Sequence, residues 1–449
     1  MEYRYRDASE MKDSGVEWIG KIPKDWEKCK WGYVTNVLTD YTANGSFGDL
    51  AKNVKYLDYK SHARLIRLID LRQNLDNEGV YVSKSAYDYL GKSSLHGGEF
   101  LMANVGANAG FVCEMPSVDY PCTLAPNMMM AKFNENLVNN NFMIYSANSY
   151  SIQLQLLSKA TQASAQPKLN KEDFKTIIFA LPYIKEQEKI VNFLDKKTSQ
   201  FDSIISKKEA LIEKLEEAKK SLISEVVTGK VKVVKTDDGY DLVKRSSDEM
   251  KDSGVEWLGD IPKDWELSKV KYIFENLDDR RVPLSAEERG KIINGQYDYY
   301  GASGVIDRVD SYLFDDELIL IGEDGANLYS RNTPLAFIAR GKFWVNNHAH
   351  ILKCRYGNIN YLVNLLESID YTNFITGSAQ PKLTQDNLMN IEILNPTLNE
   401  QNIIGNYIKE KVINFTNLIV KEKNIIEKLK EAKQSLISEA VTGKIEILD

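Results

Sequence analysis

Arginine, asparagine and histidine gather in two turn-rich stretches of this chain. The first holds Lys60, Arg64, Arg67 and Arg72, then the run Asn104-Val-Gly-Ala-Asn108-Ala-Gly110. The second holds Arg280 and Arg281, a Tyr-Tyr-Gly-Ala-Ser run containing Tyr300 and Ser303, a Gly-Glu-Asp-Gly-Ala-Asn run ending at Asn327, then Arg331 and Asn346-Asn347-His348-Ala-His350. These types match the edges of nucleic-acid bases: Arg forks onto guanine, Asn onto adenine, and Glu or Asp accepts from cytosine. Tyr and Lys suit backbone positioning, and Lys168 and Lys382 stand in two copies of one pentapeptide, AQPKL. For any single residue the ordinary role is a solvated turn; the reading belongs to the set.

Other chemistries find less support. His348 and His350, two apart, would share one face of a strand, and Cys354 is the nearest further metal ligand. Glu323 and Asp324 between glycines suit a tight turn. The Thr-Gly-Lys at 228–230 lacks the earlier glycine of a phosphate-binding loop. Asn395-Pro396-Thr397 lacks the second proline and the aromatic of the adenine-methyltransferase motif. No glycine-rich loop after a strand offers a methyl-donor site, and no nucleophile–base pair stands out. The expectation is a chain with no catalytic, metal or cofactor residues of its own.

The elements that must position these residues are written twice. Residues 11–27 read MKDSGVEWIGKIPKDWE and residues 250–266 read MKDSGVEWLGDIPKDWE, identical at fifteen of seventeen positions. AQPKL occurs at 165–169 and 379–383, and residues 212–230 match 426–444 at sixteen of nineteen positions. Between these frames, 28–164 and 267–378 differ in length and content. Two near-identical frames holding dissimilar inserts suit recognition better than catalysis, and exclude a solenoid of short repeats. Short β-like runs at 63–68, 99–102, 111–113, 317–321, 334–338 and 343–345, with helical stretches at 141–157 and 360–370, make each insert a compact α+β domain.

Each frame closes on a long helix. Steps of four and three from Ile190 give Leu194, Lys197, Phe201, Ile204, Lys208, Leu211, Leu215, Ala218, Leu222 and Glu225, eight of the eleven apolar. From Ile404 the series Ile408, Lys411, Phe415, Leu418, Glu422, Ile425, Leu429, Ala432, Leu436 and Glu439 has its charged members in the same places. Gly229 and Gly443 suit the left-handed position that ends a helix. Helices of roughly 40 residues, about 60 Å long, need a partner. The two copies predict an antiparallel coiled-coil pair and a pseudo-twofold repeat.

Composition sets the outer bounds. The chain has 449 residues, room for two or more cores. With 57 Lys and Arg against 64 Asp and Glu its net charge is −7, which argues against nonspecific coating of nucleic acid. No apolar run of membrane-spanning length and no apolar leader core stand out, so a cytoplasmic protein is expected. Cys29, Cys113, Cys122 and Cys354 are scattered, without the pairing of a zinc site or a disulfide framework.

Taken together, the K-D-S-G-V-E-W-x-G-x-I-P-K-D-W-E head motif, the A-Q-P-K-L box, Glu186-Gln187 and Glu400-Gln401 after a proline, and the closing S-L-I-S-E-x-V-T-G-K resemble the specificity subunits of type I restriction–modification systems over essentially the whole chain. The resemblance implies a non-catalytic subunit whose inserts are target recognition domains, each reading one half of a bipartite site in double-stranded DNA. It implies two methyltransferase subunits carrying S-adenosylmethionine, and two restriction (translocase) subunits using ATP and magnesium. One departure is Asn395-Pro396, where the first copy has Leu181-Pro182. The expected boundaries are a first recognition domain at 1–180, a long helix at 181–230, a linker at 231–249, a second recognition domain at 250–395 and a second helix at 396–449. The alternatives are a protein-scaffolding rod without DNA readout, or a cryptic single-chain methyltransferase or nuclease.

Overall fold

The computed structural model describes residues 2–161, 167–377 and 380–448. It divides into two compact units, Met1–Lys208 with Asn424–Asp449, and Glu209–Lys423. The long helices, Ile184–Val227 and Leu398–Val441, span 44 residues each and contribute to both units. The expected class, α+β domains on two long helices, is what is found.

In the first unit the head motif locks onto the start of the first long helix. Its hairpin, Met11–Asp13 with Lys21–Pro23, places Trp26 in the core, where the indole Nε1 donates to Glu186 at 2.8 Å. Arg6 joins the same carboxylate at 2.8 Å. Gln187, fully buried, accepts from the Asn139 amide and donates to the carbonyls of Leu137 and Pro182. Burying an indole with its N–H satisfied contributes several kcal/mol, so roughly 3–5 kcal/mol rides on Trp26. The end of the second long helix reaches this core through Ile437, Ala440 and Val441. Beyond it Gly443, at φ +71, lies so close to Pro23 and Trp26 that a Cβ would collide with the proline ring. Strand Ile445–Ile447 then pairs antiparallel with Tyr3–Tyr5.

The second unit repeats this lock. Trp265 donates to Glu400 at 3.2 Å, Arg245 reaches the same carboxylate at 3.5 Å, and Gly229 at φ +72 sits against Pro262 and Trp265. Residues 231–249, expected as a linker, form the hairpin Val231–Thr236 with Gly239–Lys244 followed by a short 3-10 turn. Alternating Val231 and Val233 face the core, a strand pattern in a segment whose charge suggests a linker. The Asn395-Pro396 departure changes nothing in the helix start, because Asn395 Oδ1 accepts from Gln401 and both long helices begin two residues after their prolines.

Within the first unit the two helices run antiparallel: Glu186 meets Arg6 beside Glu446, whereas Lys433 pairs with Asp202 at 2.7 Å. The buried stripe keeps part of the expected seam: Ile190, Leu194, Ile404 and Ile408 are buried, and Phe201, Leu215, Leu222, Phe415, Leu429 and Leu436 are half-buried. It departs from that seam at Thr198 and Ile205 on the first helix and Ile419 and Ile426 on the second, which are buried one residue later than Lys197, Ile204, Leu418 and Ile425. One residue is about 100° of helix rotation, so at these positions the series read from sequence lies on the flank of the contact. Both positions are apolar along much of each helix, and spacing alone does not choose between them.

The heads differ in sheet construction. The first has two four-stranded sheets, one ordered Val112–Glu114, Phe100–Ala103, Met128–Phe133, Thr35–Asp40, the other Tyr81–Val82, Ala63–Ile66, Cys122–Leu124, Ser94–Leu95. The second has a single six-stranded sheet ordered Phe274–Asn276, Ala349–Cys354, Phe314–Gly322, Ala336–Val345, Tyr297–Gly301, Gly304–Val309. The runs 334–338 and 343–345 are thus parts of one strand, and the helical stretch 141–157 is broken at Asn148 into Asn140–Ala147 and Tyr150–Thr161. The cysteines are unpaired, and burial pushes the thiols of Cys113, Cys122 and Cys354 up to about 12. No described helix is long and apolar enough to cross a membrane.

Candidate nucleic-acid interface

In each head one core strand ends in a turn that the Pro-Lys-Leu of the repeated box clamps from the side. After strand Phe100–Ala103, the Gly106 amide donates to Pro167 O at 2.9 Å, and Leu169 donates to Asn104 O at 2.8 Å. After strand Phe314–Gly322, Gly325 donates to Pro381 O at 3.1 Å, and Leu383 donates to Glu323 O at 2.8 Å. Val105 bridges Lys168, as Asp324 bridges Lys382. These bonds align Asn104-Val-Gly-Ala-Asn108 with Glu323-Asp-Gly-Ala-Asn327. The shared Gly-Ala-Asn was visible in the sequence and would have paired the two loops, although the inserts otherwise differ. The Ala-Gln of the first box and Ala379 of the second lie outside the described residues.

The clamp holds different chemistry in the two heads. In the first, Asn104 Oδ1 is buried with no hydrogen-bond partner among the described residues. Lys168, in the adjoining clamp, is exposed and has no ion-pair partner among them. Asn108 is exposed, and its Oδ1 accepts from Arg72 at 2.7 Å. In the second head Glu323 replaces Asn104 and receives Lys382 at 3.0 Å, together with a close bond from Arg281. Burial pushes the Glu323 carboxyl up, but these two cations outweigh it and hold it below the usual range.

Several residues singled out by type are committed inside the protein. Arg64 is buried at 4% exposure and donates to Leu75 O at 2.8 Å and to Asn77, so it cannot reach a base. Arg67 is spent on Asp70 through bonds of 2.9 and 2.8 Å. Arg281 holds Glu323 and the Ala349 carbonyl, and Arg331 holds Glu367 and Ile369 O. Asn327 exchanges two 3.0 Å bonds with the Thr333 backbone, and Asn346 is buried with its Oδ1 on the His348 amide. Tyr300 is half-buried and stacked on Phe337. Type alone does not distinguish these internal bonds from bonds to a ligand. Lys60, Ser303 and Asn347 are exposed, His348 is half-exposed with Nδ1 2.8 Å from Asp324, and Arg280 lies over Phe314 at 4.8 Å.

His348 and His350 do not converge. His350 is buried, with Nδ1 2.6 Å from Asp278 Oδ2 and Nε2 2.8 Å from Leu383 O. Asp278, which sequence reasoning passed over, also accepts from the Ile351 amide at 2.8 Å. Burial pushes its carboxyl up, but the bonds from His350 and Ile351 outweigh this and leave it below the usual range. Asp278, Glu323 and His350 bring ligand atoms within 4.8 Å of one another. Arg281 and Lys382 already neutralise Glu323, and both ring nitrogens of His350 are taken, so the cluster is an ion-pair network that ties the clamp to the sheet.

Comparisons with known proteins agree with this doubled design. The chain is 25% identical to the specificity subunit of the MjaVIII type I restriction enzyme of Methanocaldococcus jannaschii, over 95% of this chain and 94% of that one. It is 33% identical to a Haemophilus influenzae protein provisionally named a type I restriction enzyme specificity subunit, over 151 residues, about a third of each chain (33% and 35%). A solved chain from work on complex assembly and conformational transition of the type I R-M system shares its fold at a TM-score of 0.65, with 12% identity, covering 94% of this chain and 99% of that one. The family model for the type I restriction modification DNA specificity domain matches twice, at residues 23–217 and 262–431, once for each frame with its insert. The chain therefore belongs to the type I restriction–modification specificity subunits.

Proposed function

We propose that this chain is the non-catalytic DNA-reading subunit of a type I complex, each head reading one half of a bipartite target. The observation that carries this is the clamped loop built twice on one plan with different side chains: Asn104 and a Lys168 without an ion-pair partner among the described residues in one head, Glu323 and a paired Lys382 in the other. Lys60, Asn108 and Lys168 in the first head, and Arg280, Ser303, Asn347, His348 and Lys382 in the second, are the groups with exposure to meet DNA. Arg64, Arg67, Arg281, Arg331, Asn327 and Asn346 position them. Partner methyltransferase subunits supply S-adenosylmethionine chemistry, and restriction subunits supply ATP- and magnesium-dependent cleavage.

The helices offer a surface for such partners. In the second unit Leu211 and Leu418 are 42% and 48% exposed. Both precede a stripe position by one residue, and on an antiparallel pair these preceding flanks face the same side. The test is reconstitution with the methyltransferase and sequencing of the methylated DNA. A two-part motif lost with this gene is expected. Methylation independent of the chain would leave only a scaffold, and turnover by the chain alone with methyl donor would make it an enzyme.

A further inference from the structure

Among the arginines of the first head, Arg72 alone has no carboxylate partner among the described residues, for Arg64 and Arg67 both face Asp70. It is nevertheless held. Its guanidinium lies 5.1 Å from the centroid of Phe111 and donates through Nη2 to Asn108 Oδ1 at 2.7 Å. Both supports are neutral, so the positive charge is left uncompensated, the plane is fixed, and one edge of the fork has no partner among the described residues. Asn108 belongs to the clamped loop, and Phe111 follows it directly.

The backbone that presents Arg72 is built for the purpose. The short helix Leu68–Arg72 ends, and Asn74 and Leu75 follow at φ +50 and +64, a left-handed pair that asparagine tolerates and leucine does not. Buried groups hold it: Arg64 on Leu75 O, and Asn77 on both Arg64 and Asp70 at 0% exposure. Strain of this kind persists where the surroundings over-determine it and gathers at binding sites. A fixed, unneutralised guanidinium fork with an exposed amide beside it matches the O6 and N7 acceptors of guanine in the major groove.

We infer that Arg72, oriented by Phe111 and Asn108, reads a guanine in the half-site of the first head. This rests on the proposed DNA-reading role and adds a base and a residue to it. The test uses the full chain reconstituted with its methyltransferase, first to define the methylated motif and then to measure binding to duplexes varied at each position of the first half-site. Arg72→Ala and Arg72→Lys are both expected to relax one guanine position, to leave the second half-site unchanged, and to weaken binding to the intact target by about 5- to 150-fold, without weakening binding to unrelated DNA. Replacing that guanine with 7-deazaguanine should weaken the unaltered complex and have no further effect on Arg72→Ala. The inference is overturned if Arg72→Lys behaves as the unaltered chain, or if Arg72→Ala weakens all sequences alike and lowers the salt slope, which would mark a phosphate contact. It is also overturned if the motif does not change. An unaltered complex without sequence preference would instead bring down the DNA-reading role itself.

Discussion

Asp278 carries more of the second head than its position in a single 3-10 turn suggests. It joins His350 and the Ile351 amide at 4% side-chain exposure, and removing one member of such a buried group leaves the other charge uncompensated. Asp278→Asn should destabilise the second head by about 3–5 kcal/mol, read as a lowered thermal midpoint, and an unshifted midpoint would contradict the network. The carboxyls of Asp278 and Glu323 are held below their ordinary values of 3.8 and 4.5, so their contribution is complete above those values and is lost as pH falls below them. Acid unfolding of the second head should therefore begin near pH 4 and steepen below it, and hydrogen exchange along Phe314–Gly322 and Ala349–Cys354 would follow it. The two clamp lysines should behave differently. Lys168 is exposed and has no ion-pair partner among the described residues, so Lys168→Ala should weaken every sequence and lower the salt slope by about one. Lys382→Ala also strips Glu323 of a partner and should cost stability as well. Equal effects of the two substitutions on unfolding would show that the pairing at 3.0 Å carries nothing.

Among the elements, the long helices separate two roles that one apolar series had merged. The buried stripe holds the pair together, and the flank holding Leu211 and Leu418 is open to a partner. Changing both to Glu should leave helix content and thermal stability nearly unchanged, since the sites are exposed, while abolishing co-purification with the methyltransferase. Retained co-purification would place the docking surface elsewhere. Helix length should set the spacing of the two half-sites. One heptad added near Leu211 and one near Ile425 keep the stripe in phase and lengthen each helix by about 10 Å. At roughly 3.4 Å per base pair that adds up to about three base pairs to the gap and leaves the half-sites intact. Two added residues would rotate the stripe off its partner and destabilise the pairing. A heptad variant that methylates with an unchanged gap would show that the helices are not the ruler.

For the whole molecule, the doubled frame predicts that the heads are exchangeable. Each insert returns to its own Pro-Lys-Leu clamp, and the clamp bonds to backbone atoms, so it accepts a different insert. Replacing 28–164 with the equivalent segment of another family member should change one half of the methylated motif and preserve the other. Coupled changes in both halves, seen by sequencing methylated DNA, would refute independent readers.

The sequence by itself determined the two frames, the long helices and their ends, and the family. Those features rest on local physics and repetition: apolar spacing, glycines at left-handed positions, a tryptophan at the same place in each head motif and a Glu-Gln pair at the start of each long helix. It also carried the loop equivalence, in a Gly-Ala-Asn shared by otherwise dissimilar inserts. Tertiary structure alone decided which of two adjacent apolar series is buried, because a helix shows its stripe only against its partner. It decided that Arg64 and Arg281 face inward and Arg72 outward, because a guanidinium is equally suited to a carboxylate, a carbonyl or a base. It also made Asp278 the partner of His350 across 72 residues, a pairing that exists only once strand Ala349–Cys354 lies against Phe274–Asn276.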